Sequence, residues 1–108
     1  MTVHVRWSAQ VAAYVRGRAP EARKALRRAL QALAGWDGRA DPPRIRFLED
    51  DLVGYLRLRI GPHRVIFREV FEDDRRVILC VFAGPRSSIY ETFAELLLDE
   101  FDALSGSE

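Results

Sequence analysis

Three arginines alternate with apolar residues in the run Gly54-Tyr-Leu-Arg-Leu-Arg-Ile-Gly-Pro-His-Arg-Val-Ile-Phe67. Successive side chains of a strand point to opposite faces, so Tyr55, Arg57 and Arg59 share one face while Leu56, Leu58 and Ile60 share the other. With Gly61-Pro62 as a two-residue turn, Ile60 pairs with His63, Arg59 faces Arg64, Arg57 faces Ile66 and Tyr55 faces Arg68. Four guanidiniums then crowd one surface. Like charges directly across a ladder cost up to about 1 kcal/mol per pair, so this face is a poor device for stability alone. A polyanion relieves the repulsion, and guanidinium is the group best shaped to hold phosphate bidentately.

The elements that must position these side chains follow from periodicity. Thr2 to Trp7 alternates as a short strand, and Ser8 can cap the helix marked by Val11, Ala12, Tyr14 and Val15. The pattern breaks near Gly17, and Pro20 suits the first turn of a second helix. There Ala22, Ala25, Leu26, Ala29, Leu30, Leu33 and Ala34 form an apolar stripe, with Arg23, Lys24, Arg27 and Arg28 on the wet face. Gly35 ends that helix, residues 37–43 read as a loop, and Arg44 to Leu48 as a brief edge strand. After the arginine strand, His63 to Phe71 and Val77 to Ala83 complete an antiparallel meander through a turn at residues 72–75. Ser87 or Ser88 then caps a final helix carrying Ile89, Phe93, Leu96, Leu97 and Phe101. This order predicts a two-layer α+β fold, with the helical hairpin on one sheet face and the arginines on an uncovered one. Such a basic face with an aromatic is a cradle for single-stranded RNA.

Length and composition narrow the classes. At 108 residues with 48% hydrophobic content, the chain reads as a single domain, 1–104, with a disordered tail, 105–108. It has neither a run of the roughly 20 apolar residues that a membrane helix needs nor the charge order of a secretion signal, so a soluble, cytoplasmic protein is expected. Cys80 is the only cysteine, which excludes an internal disulfide, and its apolar neighbours make it core filler. His4 and His63 stand apart without cysteine partners, and no metal site is implied. Residues 90–108 hold six acids and no base, so residues before 90 carry 17 bases against 10 acids, or +7. Sixteen of the bases are arginine, a usage that a GC-rich genome also produces, so position and not count carries the inference. The stripe from Arg23 to Arg28 reads as a solvated face and Glu49-Asp-Asp51 as a solvated turn.

In order and spacing, the helical hairpin, the strand Leu52-Val-Gly-Tyr-Leu-Arg-Leu-Arg-Ile60, the following His63-Arg-Val-Ile-Phe67, and Arg86-Ser-Ser-Ile-Tyr90 resemble the RelE/ParE superfamily of bacterial toxin-antitoxin toxins. The resemblance covers nearly the whole chain. It implies a RelE-like fold in which an N-terminal strand and helical hairpin pack on a β-meander followed by a C-terminal helix. It also implies a cognate antitoxin as partner. Members of the RelE branch cut messenger RNA in the ribosomal A site; members of the ParE branch inhibit DNA gyrase, so fold alone leaves the target open.

By position, the resemblance implies a catalytic surface of Arg57, Arg59, Arg64, Arg86 and Tyr90, with Arg57, Arg59, Arg68, Tyr55 and His63 as RNA contacts. The implied reaction needs no metal or cofactor: the ribose 2′-OH attacks the adjacent phosphate, leaving a 2′,3′-cyclic phosphate and a 5′-OH. Arg64 and Arg86 would clamp the phosphate, Arg57 and Arg59 the flanking backbone, and Tyr90 a base or the nucleophile. Two departures stand out. RNA-cutting relatives often carry lysines where this chain has Arg57 and Arg59, and arginine does not accept protons, which leaves His63 and Tyr90 as the candidates for proton transfer. Gly84 falls where some active members carry another base. A ParE-like gyrase inhibitor without chemistry, or a degenerate member that only binds its antitoxin, are the alternatives. The apolar side of the last helix either packs on its own sheet or receives the antitoxin.

Overall fold

The computed structural model describes residues 3–105, with side chains through residue 99. The tail expected to be disordered lies outside that range, apart from Ser105 at the end of the last helix. Five strands form one mixed sheet in the order β1-β5-β4-β3-β2. They are β1 (His4–Trp7), β2 (Ile45–Phe47), β3 (Leu56–Ile60), β4 (His63–Glu72) and β5 (Arg75–Pro85). The meander β3-β4-β5 is antiparallel, β2 adds antiparallel to β3, and β1 adds to β5 in parallel.

Helices α1 (Ala9–Arg16) and α2 (Pro20–Ala32) form the expected hairpin on one face. Ser8 caps α1 by accepting from the Val11 amide, and its own hydroxyl donates to the Val81 carbonyl. Two residues on, Gln10 bonds both backbone groups of Ala83, Nε2 to the carbonyl and Oε1 from the amide, each at 2.7 Å. These side chains occupy the edge of β5 just past the end of β1, leaving less backbone there for a foreign strand. On α2, Leu26, Leu30 and Leu33 are fully buried with Val11 and Val15 against Leu58, Val65, Phe67 and Ile78. Each such side chain contributes roughly 1.5–3 kcal/mol. The stripe is narrower than expected, because Ala25 and Ala34 are exposed. A methyl group at the margin of the contact gains little from burial.

The second sheet face differs from the open one expected. Helix α3 (Ile89–Ser105) lies across part of it, burying Ile89 and Phe93 against Ile66, with Tyr55 and Phe82 packed alongside. Tyr55 and Phe93 meet edge to face at 5.1 Å between centroids. The sheet is thus covered on both faces at β4 and β5, and the arginine surface is what remains beside α3. A β-bulge between Ile66 and Phe67 shifts the register against β5, so that Ile66 pairs with Phe82 and Phe67 with Cys80. The extra residue lets Cys80 and Ala83 both join the core under α1 and α2. Among the described residues, no helix is long and apolar enough to cross a membrane.

Candidate functional site

The register at the arginine hairpin is the one a two-residue turn requires: Ile60 pairs with His63, Arg59 with Arg64, Leu58 with Val65 and Arg57 with Ile66. Gly61 takes φ +58°, a conformation costly for any residue with a Cβ, and Pro62 supplies the fixed negative φ after it. Directly opposed residues share a face. Arg57, Arg59 and Arg64 therefore lie on one side of the sheet, opposite the helical hairpin.

Arg64 is the centre of this surface. Only 4% exposed, it is the one charged residue in the core of the described chain. Its Nη1 donates to the carbonyls of Gly61 at 2.7 Å and His63 at 2.9 Å, so the guanidinium closes the turn that carries it. Burial pulls its pKa below the ordinary arginine range; the positive charges of Arg57 and Arg59 lower it further, Tyr90 opposes them, and Arg86 adds to them. All four groups thus act electrostatically on one guanidinium. Arg86 reaches the spot because its backbone amide donates to the Pro62 carbonyl at 2.9 Å, tying the end of β5 to the hairpin turn. Tyr90 reaches it from the first turn of α3, whose packing anchors are Ile89 and Phe93; Tyr90 itself is 36% exposed.

The remaining sequence candidates fall elsewhere. Arg68 lies past the bulge with its guanidinium over the Tyr55 ring at 5.9 Å, and it is not among the charges acting on Arg64. Tyr55 is engaged by Phe93 and is not a free stacking platform. His63 pairs with Ile60 and faces the helical hairpin, where its Nδ1 shares a 2.7 Å hydrogen bond with the Tyr14 hydroxyl. Burial lowers the pKa of His63, and the charges of Arg18 and Arg64 lower it further. Both effects favour the neutral imidazole, and the ring points away from the arginine surface.

Sequence reasoning overlooked two arginines. On β2, Arg46 is opposite Arg57, and the Arg59 amide donates to the Arg44 carbonyl at 2.8 Å. Arg44 and Arg46 therefore extend the same face by one strand. The signal was present in their i, i+2 spacing, but a three-residue strand is too short for alternation to be recognised. Gly84, opposite Arg64 on β5, is overlaid by Ile89, whose side-chain atoms stand 3.7–3.8 Å from where a Cβ would be. An alanine fits there; a basic side chain meets Ile89. Among the described residues, no group of three or more acidic, histidine or cysteine side chains is placed to hold a metal. The arrangement is suited to fixing an anion with several guanidiniums beside one phenol.

No protein-family model matches the chain, and no curated protein matches it in sequence. Its structure is similar to the RelBE2 toxin-antitoxin complex of Mycobacterium tuberculosis, with TM-score 0.56 and 18% identity over 80% of this chain and 100% of that one. It is similar to the YoeB/ParE toxin of Agrobacterium tumefaciens, with TM-score 0.63 and 13% identity over 77% and 98%. A third neighbour is the archaeal RelE-RelB complex of Pyrococcus horikoshii, with TM-score 0.59 and 22% identity over 80% and 97%. Since nearly the full length of each neighbour superposes on it, the chain carries the fold of the RelE/ParE toxins.

Proposed function

We propose that this chain is the toxin of a toxin-antitoxin pair and acts in the cytoplasm as a metal-independent endoribonuclease on ribosome-bound messenger RNA. The observation that carries the reading is the buried Arg64 guanidinium fixed to the carbonyls of its own turn, with Arg59 directly opposed to it and Arg86 tied to the same turn through the Pro62 carbonyl. In-line phosphoryl chemistry draws on a guanidinium fixed in this way, because a pre-oriented donor meets the charge that grows on the phosphate without reorganising. A cognate antitoxin is the expected partner, since neighbours of this fold are toxin-antitoxin complexes.

In the reaction, the ribose O2′ forms a bond to the adjacent phosphorus while the bond from phosphorus to the leaving O5′ breaks. The 2′-OH loses its proton and the leaving oxygen gains one. Arg64, with Nη1 committed to the turn, offers its remaining N–H groups to the phosphate, and Arg59 and Arg86 meet the charge that grows on its oxygens. Tyr90 is the hydroxyl among the groups acting on Arg64, and its phenol donates the proton that the leaving O5′ gains, while a solvent water takes the proton of the 2′-OH; His63 faces the other side of the sheet and reaches neither oxygen. Brief induction followed by mapping of transcript 5′ ends tests this. Cuts within translated codons, lost in Arg59→Gln and Tyr90→Phe, are expected; filamentation with DNA damage and no cuts would replace the nuclease by a gyrase inhibitor.

A further inference from the structure

The last residues of β5 are held from both edges, and the two grips alternate. On the outer edge, beyond the end of β1, side chains replace a strand: Ser8 Oγ donates to the Val81 carbonyl at 2.9 Å, and Gln10 takes both backbone groups of Ala83. Backbone groups of successive residues in a strand point to opposite edges. With the Ala83 N–H and C=O turned outward to Gln10, those of Gly84 turn inward to β4, where Gly84 pairs with Arg64. The Arg86 amide points inward again, onto the Pro62 carbonyl. One helical side chain thus sets the phase of the segment that delivers Arg86 to the hairpin turn.

Covering an open sheet edge does not require a glutamine, since a charged or short residue does the same. Fixing this long side chain costs about 1.5–2 kcal/mol of rotamer freedom. What its amide supplies is a donor and an acceptor side by side without charge, as a neighbouring strand's backbone would. The place where it does so is buried Ala83, next to the least constrained residue of the segment. Gly84 offers a strand no side chain to pack and more conformational freedom to lose, so a fixed Ala83 removes slack between the core and Arg86.

We propose that Gln10 is a positioning residue for the cleavage step: its amide locks Ala83 and so holds Arg86 where charge grows on the phosphate. This role rests on the nuclease reading above and extends its machinery to α1, on the helical side of the sheet and away from the RNA. Arg86 acts on the transition state, so a shift of the β5 end lowers the saturated rate and leaves half-saturation unchanged.

The test is single-turnover cleavage of message in programmed ribosomes by the full chain, with tryptophan fluorescence reporting that each variant is folded. Gln10→Ala should lower the saturated rate by roughly 10–10²-fold at unchanged half-saturation, as for a catalytic group displaced by about an ångström. Gln10→Glu should show the same loss at pH 8, where its carboxylate faces the Ala83 carbonyl. It should recover roughly tenfold by pH 6, because the protonated acid again offers a donor and an acceptor. Ratios of variant to parent at each pH cancel the titration of Tyr14 and His63, the hydrogen-bonded pair one turn along α1. In an Arg86→Gln background, Gln10→Ala should cost nothing further. Parental rates in both folded variants overturn the positioning role and leave the nuclease reading standing. So does a Gln10→Glu ratio that ignores pH, a loss that multiplies with that of Arg86→Gln, or one that only follows the unfolded fraction. No cleavage by the unsubstituted chain overturns both.

Discussion

Removing the charge of Arg59 should stabilise the protein while disabling it. Arg59 is exposed and directly opposed to the buried Arg64, with no carboxylate on it among the described residues. Arg59→Gln keeps the stem and hydrogen-bonding capacity and strips the charge. The relief of one directly opposed like pair is about 0.3–1 kcal/mol at a half-solvated site. For a domain near 100 residues this raises the melting midpoint by roughly 2–6 °C. The sign is the informative part, since most substitutions destabilise. Urea titration followed by tryptophan fluorescence suits the measurement, because Trp36 and Trp7 belong to the core under α1 and α2, on the face away from Arg59. The gap between variant and parent should also close in 1 M salt, where the screening length is about 3 Å. In the cleavage assay the same variant should fall by roughly 10²–10³, the usual consequence of losing one donor to a developing oxyanion. A variant that unfolds at lower urea than the parent in low salt, or a gap that ignores salt, refutes the claim that these guanidiniums are in electrostatic tension.

Acidification should weaken the fold through His63, whose folded-state pKa lies below its ordinary value. Stability is full above about pH 6.5 and declines as pH drops through that value, where the unfolded chain takes up the proton that the folded imidazole resists. Urea midpoints at pH 7.5 and 5.5 should therefore converge in His63→Gln; the same pH step in both proteins would remove His63 as its cause. Cys80 is 1% exposed and burial pushes its thiol up to about 12, so a maleimide should label it only in denaturant. Rapid labelling of the native protein would contradict the core packing. Phe93→Ala removes the aromatic that clamps α3 to Tyr55 and Phe82, a loss of about 3–4 kcal/mol. Limited proteolysis should then cut within α3 before any other element, and equal protection of α3 in variant and parent would refute its docking through Phe93.

The sequence made the hairpin legible because a two-residue turn leaves no freedom in register: once Gly61-Pro62 is the turn, every cross-strand pair follows. The same register placed His63 opposite Ile60 and so on the helical side, and it contained the reason that His63 is not on the arginine face. Helix starts were equally readable, at Ser8 through its hydroxyl and at Pro20 through its fixed φ. The partner of β1 was not, because alternation identifies a strand without naming its neighbour, and the neighbour lies some seventy residues on in β5. The placement of α3 was half legible. Apolar spacing at Ile89 and Phe93 says that the helix packs, and the clue to which face is Ile66, an apolar residue paired with Arg57 on the face that also carries Arg59 and Arg64. Read as an isolated exception, Ile66 says little; paired with Phe82 across β5, it marks the ground on which a helix must sit.

Arg64 joins the two halves of this structure. A guanidinium on an open strand samples many rotamers, and binding an anion then costs the freedom it loses. Here Nη1 is committed to two backbone carbonyls of the turn next to it, so most of that freedom is already gone before any ligand arrives. The cost is carried by the fold: a charge is held with 4% exposure while Arg57, Arg59 and Arg86 press on it. Glycine at 61 makes the turn tight enough for its carbonyl to face that group, and the amide of Arg86 on the Pro62 carbonyl closes the ring from the other side. Like charges gathered in this way repel one another, and an oxyanion among them offsets that repulsion. Sulfate or phosphate should therefore stabilise the parent chain in proportion to RT ln(1 + [L]/Kd), and should do so less in Arg59→Gln, although that variant is the more stable of the two without ligand.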